Sequence, residues 1–407
     1  MNFLFAWRYF KAKKSTNAIN IIAWVSVLAI AFGTAAIIFV LSIFNGFENL
    51  VKSLYADFYT DLRIIPAQGK TIAFTTAQQQ RLAQWPGIKA TAFTIEEKAM
   101  VQNGDFQTLV QVKGVDEQYE KVNNVANRLI RGRYQLGTAD HAACILGSGV
   151  ENALAVESDR AILPLVIYLP KKGLNINSSD PLQSLSADNM VTSGAFAIQQ
   201  DFDNSYLITN SAFVQRMLGI GSQQYSAAEI ALTNTKQEKE IQQQLQAFFG
   251  NRYTVQTRYQ QNKSLYTTMQ LEKWFIFLLL CFILVIAAFT MIGALTMLVL
   301  EKQKDIQILK AMGANNQLIQ KIFLSEGLLL AAIGGISGLL IALLVGWLQI
   351  QFGFIALEGQ TFIIDRYPVK FLITDIILVL TVVTIIALVA SWFPSRKAAT
   401  EPAALKS

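Results

Sequence analysis

Histidine occurs once in this 407-residue chain and cysteine twice, and only 15% of the residues are charged. A single histidine, His141, leaves a His-based triad or metal site almost nothing to be built from. Cys144 and Cys281 make no CxxC or zinc-spaced cluster and no disulfide framework. No G-x-x-x-x-G-K-[ST] run occurs, so the chain does not bind ATP by a P-loop. Gly147-Ser148-Gly149 has Leu146 where a nucleophile elbow needs a glycine, and reads instead as a tight strand-to-helix turn. Catalytic residues, metal and cofactor are therefore all expected to be none. The net charge of +6 is too mild a surplus for nucleic-acid binding.

What is abundant is apolar surface, at 53% of the residues. Four uncharged stretches are long enough for a hydrocarbon core of about 30 Å, which takes about 20 helical residues. The first is too long for a signal peptide, and Asn45-Gly46-Phe47-Glu48 follows without a cleavage site. Lys and Arg crowd the N-terminal tail (Arg8, Lys11, Lys13, Lys14), the loop after the second stretch (Lys302, Lys304, Lys310, Lys321) and the C-terminal tail (Arg396, Lys397, Lys406). That asymmetry puts both termini and the short basic loop on the cytoplasmic side.

The expected organisation is a polytopic helical membrane protein with four transmembrane helices and a large mixed α/β periplasmic domain inserted between the first two. An amphipathic cytoplasmic segment covers 1–18 and the first span 19–44. The periplasmic domain takes 45–273 and the second span 274–300. A cytoplasmic coupling loop at 301–323 precedes the third span, 324–350. A periplasmic loop at 351–370, the fourth span at 371–394 and a cytoplasmic tail at 395–407 complete the chain.

The spans carry no ionisable residue at mid-depth, which argues against an ion or proton route. They do carry small residues, and Gly334-x-x-x-Gly338 lets two helices approach closely, either within the chain or between subunits. In the domain, Thr75–Trp85 reads as a capped helix. Residues 90–101 and 106–112 read as a hairpin around Asn103-Gly104. Asn210 caps a helix to Leu218, 228–232 and 253–257 are strands, and 235–249 is a Gln-rich helix. From Tyr259 the helical pattern runs into the second span unbroken. Glu96-Glu97 lies in an alternating strand and is expected on a solvated face, His141 at the surface. Lys171 to Asn189, rich in Asn, Ser and Asp, reads as an exposed arm.

The short basic loop carries the most information. Ile306, Leu309 and Met312 recur at helical spacing beside Lys304, Asp305 and Lys310, and Gly313 stops the helix. Such a helix suits a groove on a cytosolic partner or the inner leaflet equally well. The run Glu301-Lys302, Lys304-Asp305-Ile306, Leu309-Lys310 and Met312-Gly313 resembles the coupling region of FtsX/MacB-type ABC transporter permeases. Asn45-Gly46-Phe47-Glu48, Ile145-Leu146-Gly147-Ser148-Gly149 and Pro394-Ser395-Arg396-Lys397 narrow it to the Lol-type (LolC/LolE) lipoprotein-releasing branch.

The resemblance implies a permease in the inner membrane of a Gram-negative bacterium, paired with a second permease chain, identical or homologous. Two copies of a separate cytosolic ABC ATPase would drive it through the coupling residues just named. It implies mechanotransmission that extracts a lipoprotein, with a LolA-like periplasmic carrier as a further partner. The region 171–189 is longer than the family's carrier-binding arm and different in sequence. Phe39, Phe44, Phe47, Trp274, Phe275 and Phe277 would line the lipoprotein cavity, although on residue type alone they make an interfacial aromatic belt. The alternative is an FtsX-type signalling permease that regulates a periplasmic cell-wall hydrolase without transport.

Overall fold

A computed structural model of the chain describes residues 17–160, 163–171, 185–356 and 366–400. Most of the N-terminal segment, the middle of the expected arm, the centre of the 351–370 loop and the end of the tail lie outside them. The chain divides into two compact units, one of four long helices and one formed by 51–266. Each is described by itself.

The helical unit is built on α1 (Asn17–Phe58), α2 (Lys263–Glu301), the short α3 (Gln303–Ala311), α4 (Asn316–Phe352) and α5 (Ile373–Thr400). The four long ones are each long and apolar enough to cross a membrane. At about 1.5 Å per residue, α1 spans roughly 63 Å, twice a hydrocarbon core. In lipid every backbone polar group must be paired internally, which a continuous helix achieves. Polar side chains in these helices follow the same rule. Ser42, Thr296 and Ser391 each donate to the carbonyl four residues back, at 2.6–2.7 Å.

Val27, Ile30, Ile37, Ile38 and Leu41 of α1 pack with Leu284 and Met291 of α2, Leu330 of α4 and Val379 and Val383 of α5. The glycines decide how closely. A Cβ on Gly334 would lie 2.9 Å from the Ile30 side chain, and one on Gly338 would overlap the Ala31 carbonyl. The Gly334-x-x-x-Gly338 face is therefore used within the chain, against α1. Gly33 likewise faces Leu284 of α2, whereas Gly293 has open space around it.

Among its described residues the α/β unit holds twelve strands: β1 (Leu62–Pro66), β2 (Ile72–Ala73), β3 (Ile88–Asn103), β4 (Phe106–Val115), β5 (Leu129–Gly132), β6 (Ala143–Gly147), β7 (Leu165–Pro170), β8 (Leu185–Phe196), β9 (Tyr206–Asn210), β10 (Gln224–Tyr225), β11 (Ala227–Leu232) and β12 (Tyr253–Thr257). Ten form one mixed sheet in the order β12-β1-β11-β3-β4-β9-β6-β8-β5, with β7 bridging β3 and β8. The hairpin of β3 and β4 turns at Gly104, whose φ of +58° suits glycine. Thr75 caps the helix Thr76–Ala83 through a capping box, and Asn210 caps Ser211–Leu218. Gly147-Ser148-Gly149 is the turn from β6 into the helix Ser148–Ala153, and His141 is exposed.

Three expectations need correction. The helix before the second span is interrupted at Asn262 (φ −126°, ψ 41°), after the capped turn Arg258–Gln261. Residues 185–189, expected in the exposed arm, are the start of β8 and pair with β7.

The third correction concerns Glu96 and Glu97, which are largely covered instead of lying on a solvated face. Glu97 is buried, with Lys70 Nζ at 2.6 Å. Glu96 joins Arg63, Lys113 and Glu229 across four adjacent strands. Arg63 lies 2.8 Å from Glu96, and Lys113 lies 2.7 Å from Glu229 and 3.3 Å from Glu96. The Lys113 ammonium also stands 4.8 Å from the Phe58 ring centre and 5.0 Å from that of Tyr119. Burial by itself would raise the Glu96 carboxyl, but Arg63 and then Lys113 outweigh it and hold it at about 2. Strand alternation gives the face of a residue and not what covers it. Here the cover is the rings of Phe58 and Tyr119 against the Lys113 ammonium.

Replacing Gly338 by Ile should overpack the α1–α4 contact and destabilise the helical unit by about 1–3 kcal/mol. Gly293→Ala should leave it unchanged. Thermal unfolding in detergent checks both.

Lys113→Met leaves two buried carboxylates with one cation and should cost about 3–5 kcal/mol. Lys113→Met with Glu229→Gln should recover most of that loss in denaturant unfolding. The depressed Glu96 carboxyl stabilises the fold fully above its ordinary value of 4.5, and that contribution is lost as the pH falls through about 2.

Candidate functional site

Two places in the helical unit gather the residues singled out from the sequence. The first is at the ends of α1 and α2 that adjoin the α/β domain in sequence. Leu41, Trp274, Phe277, Leu372 and Leu378 wall a cavity of about 390 Å³ whose polar residues are Glu48, Gln270, Lys273 and Asp375. Ile43, Phe44, Phe47, Met269 and Tyr367 wall a second, of about 280 Å³, with Glu48 and Glu272. Glu48 lines both. Four of the six aromatic residues expected at a cavity thus line one, and Trp274 and Phe277 meet edge to face at 5.7 Å. Phe39 packs instead against the helix core, and Phe275, 68% exposed, turns away from both cavities.

The chain holds this place open by local constraints. Asn45 is buried and donates to Asp375 Oδ2 at 2.8 Å. Lys273 Nζ donates to Asn45 Oδ1 at 2.8 Å and to Asp375 Oδ2 at 2.9 Å. One triangle therefore ties α1, α2 and α5. Gly46 permits the chain at Pro368 to lie against α1, where a Cβ would overlap the Pro368 carbonyl. Two residues on, Lys370 donates its backbone N–H to the Ser42 carbonyl and its ammonium to Asn49.

The triangle is what sequence reasoning missed. Lys273 and Asp375 are 102 residues apart and each reads as a charge at a span end. Their signal was that both lie inside otherwise apolar boundaries, beside the Asn-Gly flank.

The second place is α3. Ile306 is buried with Leu298, Val299, Ile319, Phe323 and Ala398, so it anchors α3 to its own chain and offers nothing to a partner. Leu309 and Lys310 are half-buried, and Lys310 Nζ donates to the Ala399 carbonyl at 2.9 Å. Lys302 pairs with Asp305 at 3.1 Å, and Glu301 ends α2. The face that remains exposed is Lys304, Ile308 and Met312, at i, i+4 and i+8, with Met312 79% exposed. Gly313, φ +96°, ends the helix with a conformation few other residues adopt. Ile308, not singled out from the sequence, stands on the outward face in place of Ile306.

Comparison with known proteins is in keeping with these features. Residues 277–403 match the family described as FtsX-like permease C-terminal, and residues 23–165 that described as MacB-like periplasmic core domain. The chain is 26% identical to the lipoprotein-releasing system transmembrane protein LolE of Haemophilus influenzae, covering 98% of this chain and 96% of that one. It is also 26% identical to the LolC protein of Neisseria meningitidis, covering 98% and 97%. The crystal structure of the periplasmic region of MacB from Actinobacillus actinomycetemcomitans aligns with 55% of this chain and 98% of its own, at 13% identity and a TM-score of 0.35.

Ile306→Asp should place a charge among buried aliphatic side chains and destabilise the base of the bundle by several kcal/mol. Met312→Asp, on the exposed face, should shift stability by less than about 0.5 kcal/mol. Parallel melts of the two variants in detergent separate them.

Proposed function

The chain belongs to the Lol-type permeases of the FtsX/MacB superfamily, and from that premise we propose that it extracts lipoproteins from the outer leaflet of the inner membrane. Its work comes from ATP hydrolysed in a separate subunit. The observation that carries this reading is the pair of adjoining cavities at the span ends, apolar in their walls and polar on one side. A lipidated protein terminus has the same division. Each methylene taken from water contributes about 0.8 kcal/mol, so acyl chains need shape and apolar wall more than special chemistry.

In this mechanism two copies of a cytosolic ABC ATPase dock on the exposed face of α3. Their closure is carried by α2 to the α/β domain, and no substrate crosses a pore. The absence of charged residues at mid-span fits a machine that moves its cargo sideways and outward. Both termini and α3 then face the cytoplasm and the α/β domain faces the periplasm. A second permease chain, identical or homologous, completes the complex, and a LolA-like carrier receives the lipoprotein. The FtsX-type signalling alternative gains no specific support from the cavities, which a pure signalling device does not require.

Photocrosslinkers at Phe44 and Phe277 should capture an acylated lipoprotein without ATP and release it once ATP turns over. Capture of phospholipid alone, indifferent to turnover, overturns the reading. In the same membranes Ile308→Asp should abolish ATPase stimulation while insertion persists. A cysteine at Leu109 should react with an impermeant maleimide in intact spheroplasts, and one at Asn315 should not.

A further inference from the structure

The linings of the two cavities carry three carboxylates, Glu48, Glu272 and Asp375, and a single cation, Lys273. An ammonium has three N–H donors. Two of those on Lys273 go to Asn45 and Asp375, and no third protein partner is present among the described residues. The side chain is 23% exposed and lines the larger cavity, beside the indole of Trp274 and the ring of Phe277. A donor held in place by two acceptors in an otherwise acidic and apolar lining suits one kind of ligand group. It suits an uncharged oxygen acceptor, because the carboxylates among the lining residues, with Asp375 already on the ammonium, disfavour a phosphate there.

We propose that Lys273 is the polar anchor and specificity residue of this site. Its third N–H donates to an ester or amide carbonyl of an uncharged lipidated terminus whose acyl chains lie along Phe44, Phe47, Trp274 and Phe277. The surrounding carboxylates disfavour the phosphate of a bulk phospholipid. Asn45 and Asp375 are positioning residues that fix the ammonium. The inference rests on the cavities being the acyl site, and it adds how that site tells a lipoprotein from the lipid around it.

The test uses the full chain with its partner subunits in proteoliposomes containing an acylated lipoprotein and phosphatidylglycerol, with a photocrosslinker at Phe44. Asp375→Asn keeps the ammonium and a hydrogen-bond acceptor for it. Lys273→Gln with Asp375→Asn keeps a neutral hydrogen-bonded tie between α2 and α5 but removes the ammonium. The single variant, which keeps the ammonium but holds it less firmly, should lose less lipoprotein capture than the double variant. The double variant should lose it about tenfold or more, the effect of one charge-assisted hydrogen bond. Undiminished capture in the double variant overturns the anchor and leaves the acyl site standing. Equal loss in both variants makes the triangle a structural tie only and also overturns the anchor. A parent chain that captures phosphatidylglycerol but no lipoprotein overturns the acyl site and the anchor with it.

Discussion

The helical unit depends on the close approach of α4 to α1, where Gly334 and Gly338 admit the backbone of Val27 to Thr34. Lipid gives no hydrophobic drive to helix association, so contact must come from packing, and packing improves steeply as two backbones near each other. With α4 seated there, the chain that follows it returns past Gly46 and anchors by Lys370 to Ser42. That return brings Asp375 to Asn45 and Lys273. Two members of that triangle, Lys273 and Asp375, line the larger cavity.

The two units manage charge in opposite ways. In the helices the half-buried ion pair at the cavity, Lys273 with Asp375, is supported by the neutral amide of Asn45. In the α/β domain four charges are placed in the middle of the sheet and covered by Phe58 and Tyr119. Such a cluster adds little net stability over an apolar core of the same volume, but removing one member is expensive. Within the α/β unit, Phe58 packs over the Lys113 ammonium.

At α3 the division of labour is sharper than the amphipathic pattern implied. The helix spends Ile306 on its own chain and keeps Ile308 and Met312 outside. Lys310 binds the last turn of α5 through Ala399, so α3 is tied to both the start of α4 and the end of α5.

Much of this was legible in the residues themselves. Hydropathy marks four spans because a bilayer imposes a length and an apolarity that few soluble helices share. Turn and cap chemistry is similarly local, so Thr75, Asn103-Gly104 and Asn210 announce their elements directly. The run from Glu301 to Gly313 and the Asn-Gly-Phe-Glu flank carry the resemblance to a family in consecutive residues. What only the tertiary structure decided is which side of each element meets which neighbour. Period alone could not tell that Ile306 rather than Met312 faces inward, that Phe275 turns away while Phe277 lines a cavity, or that Glu96 is buried in an ion cluster. Nor could it pair Lys273 with Asp375, or choose between α1 and another subunit for the Gly334–Gly338 face. Local sequence determines backbone conformation through short-range sterics and hydrogen bonds. Burial and charge pairing depend on residues a hundred or more positions away, which only the folded chain brings together.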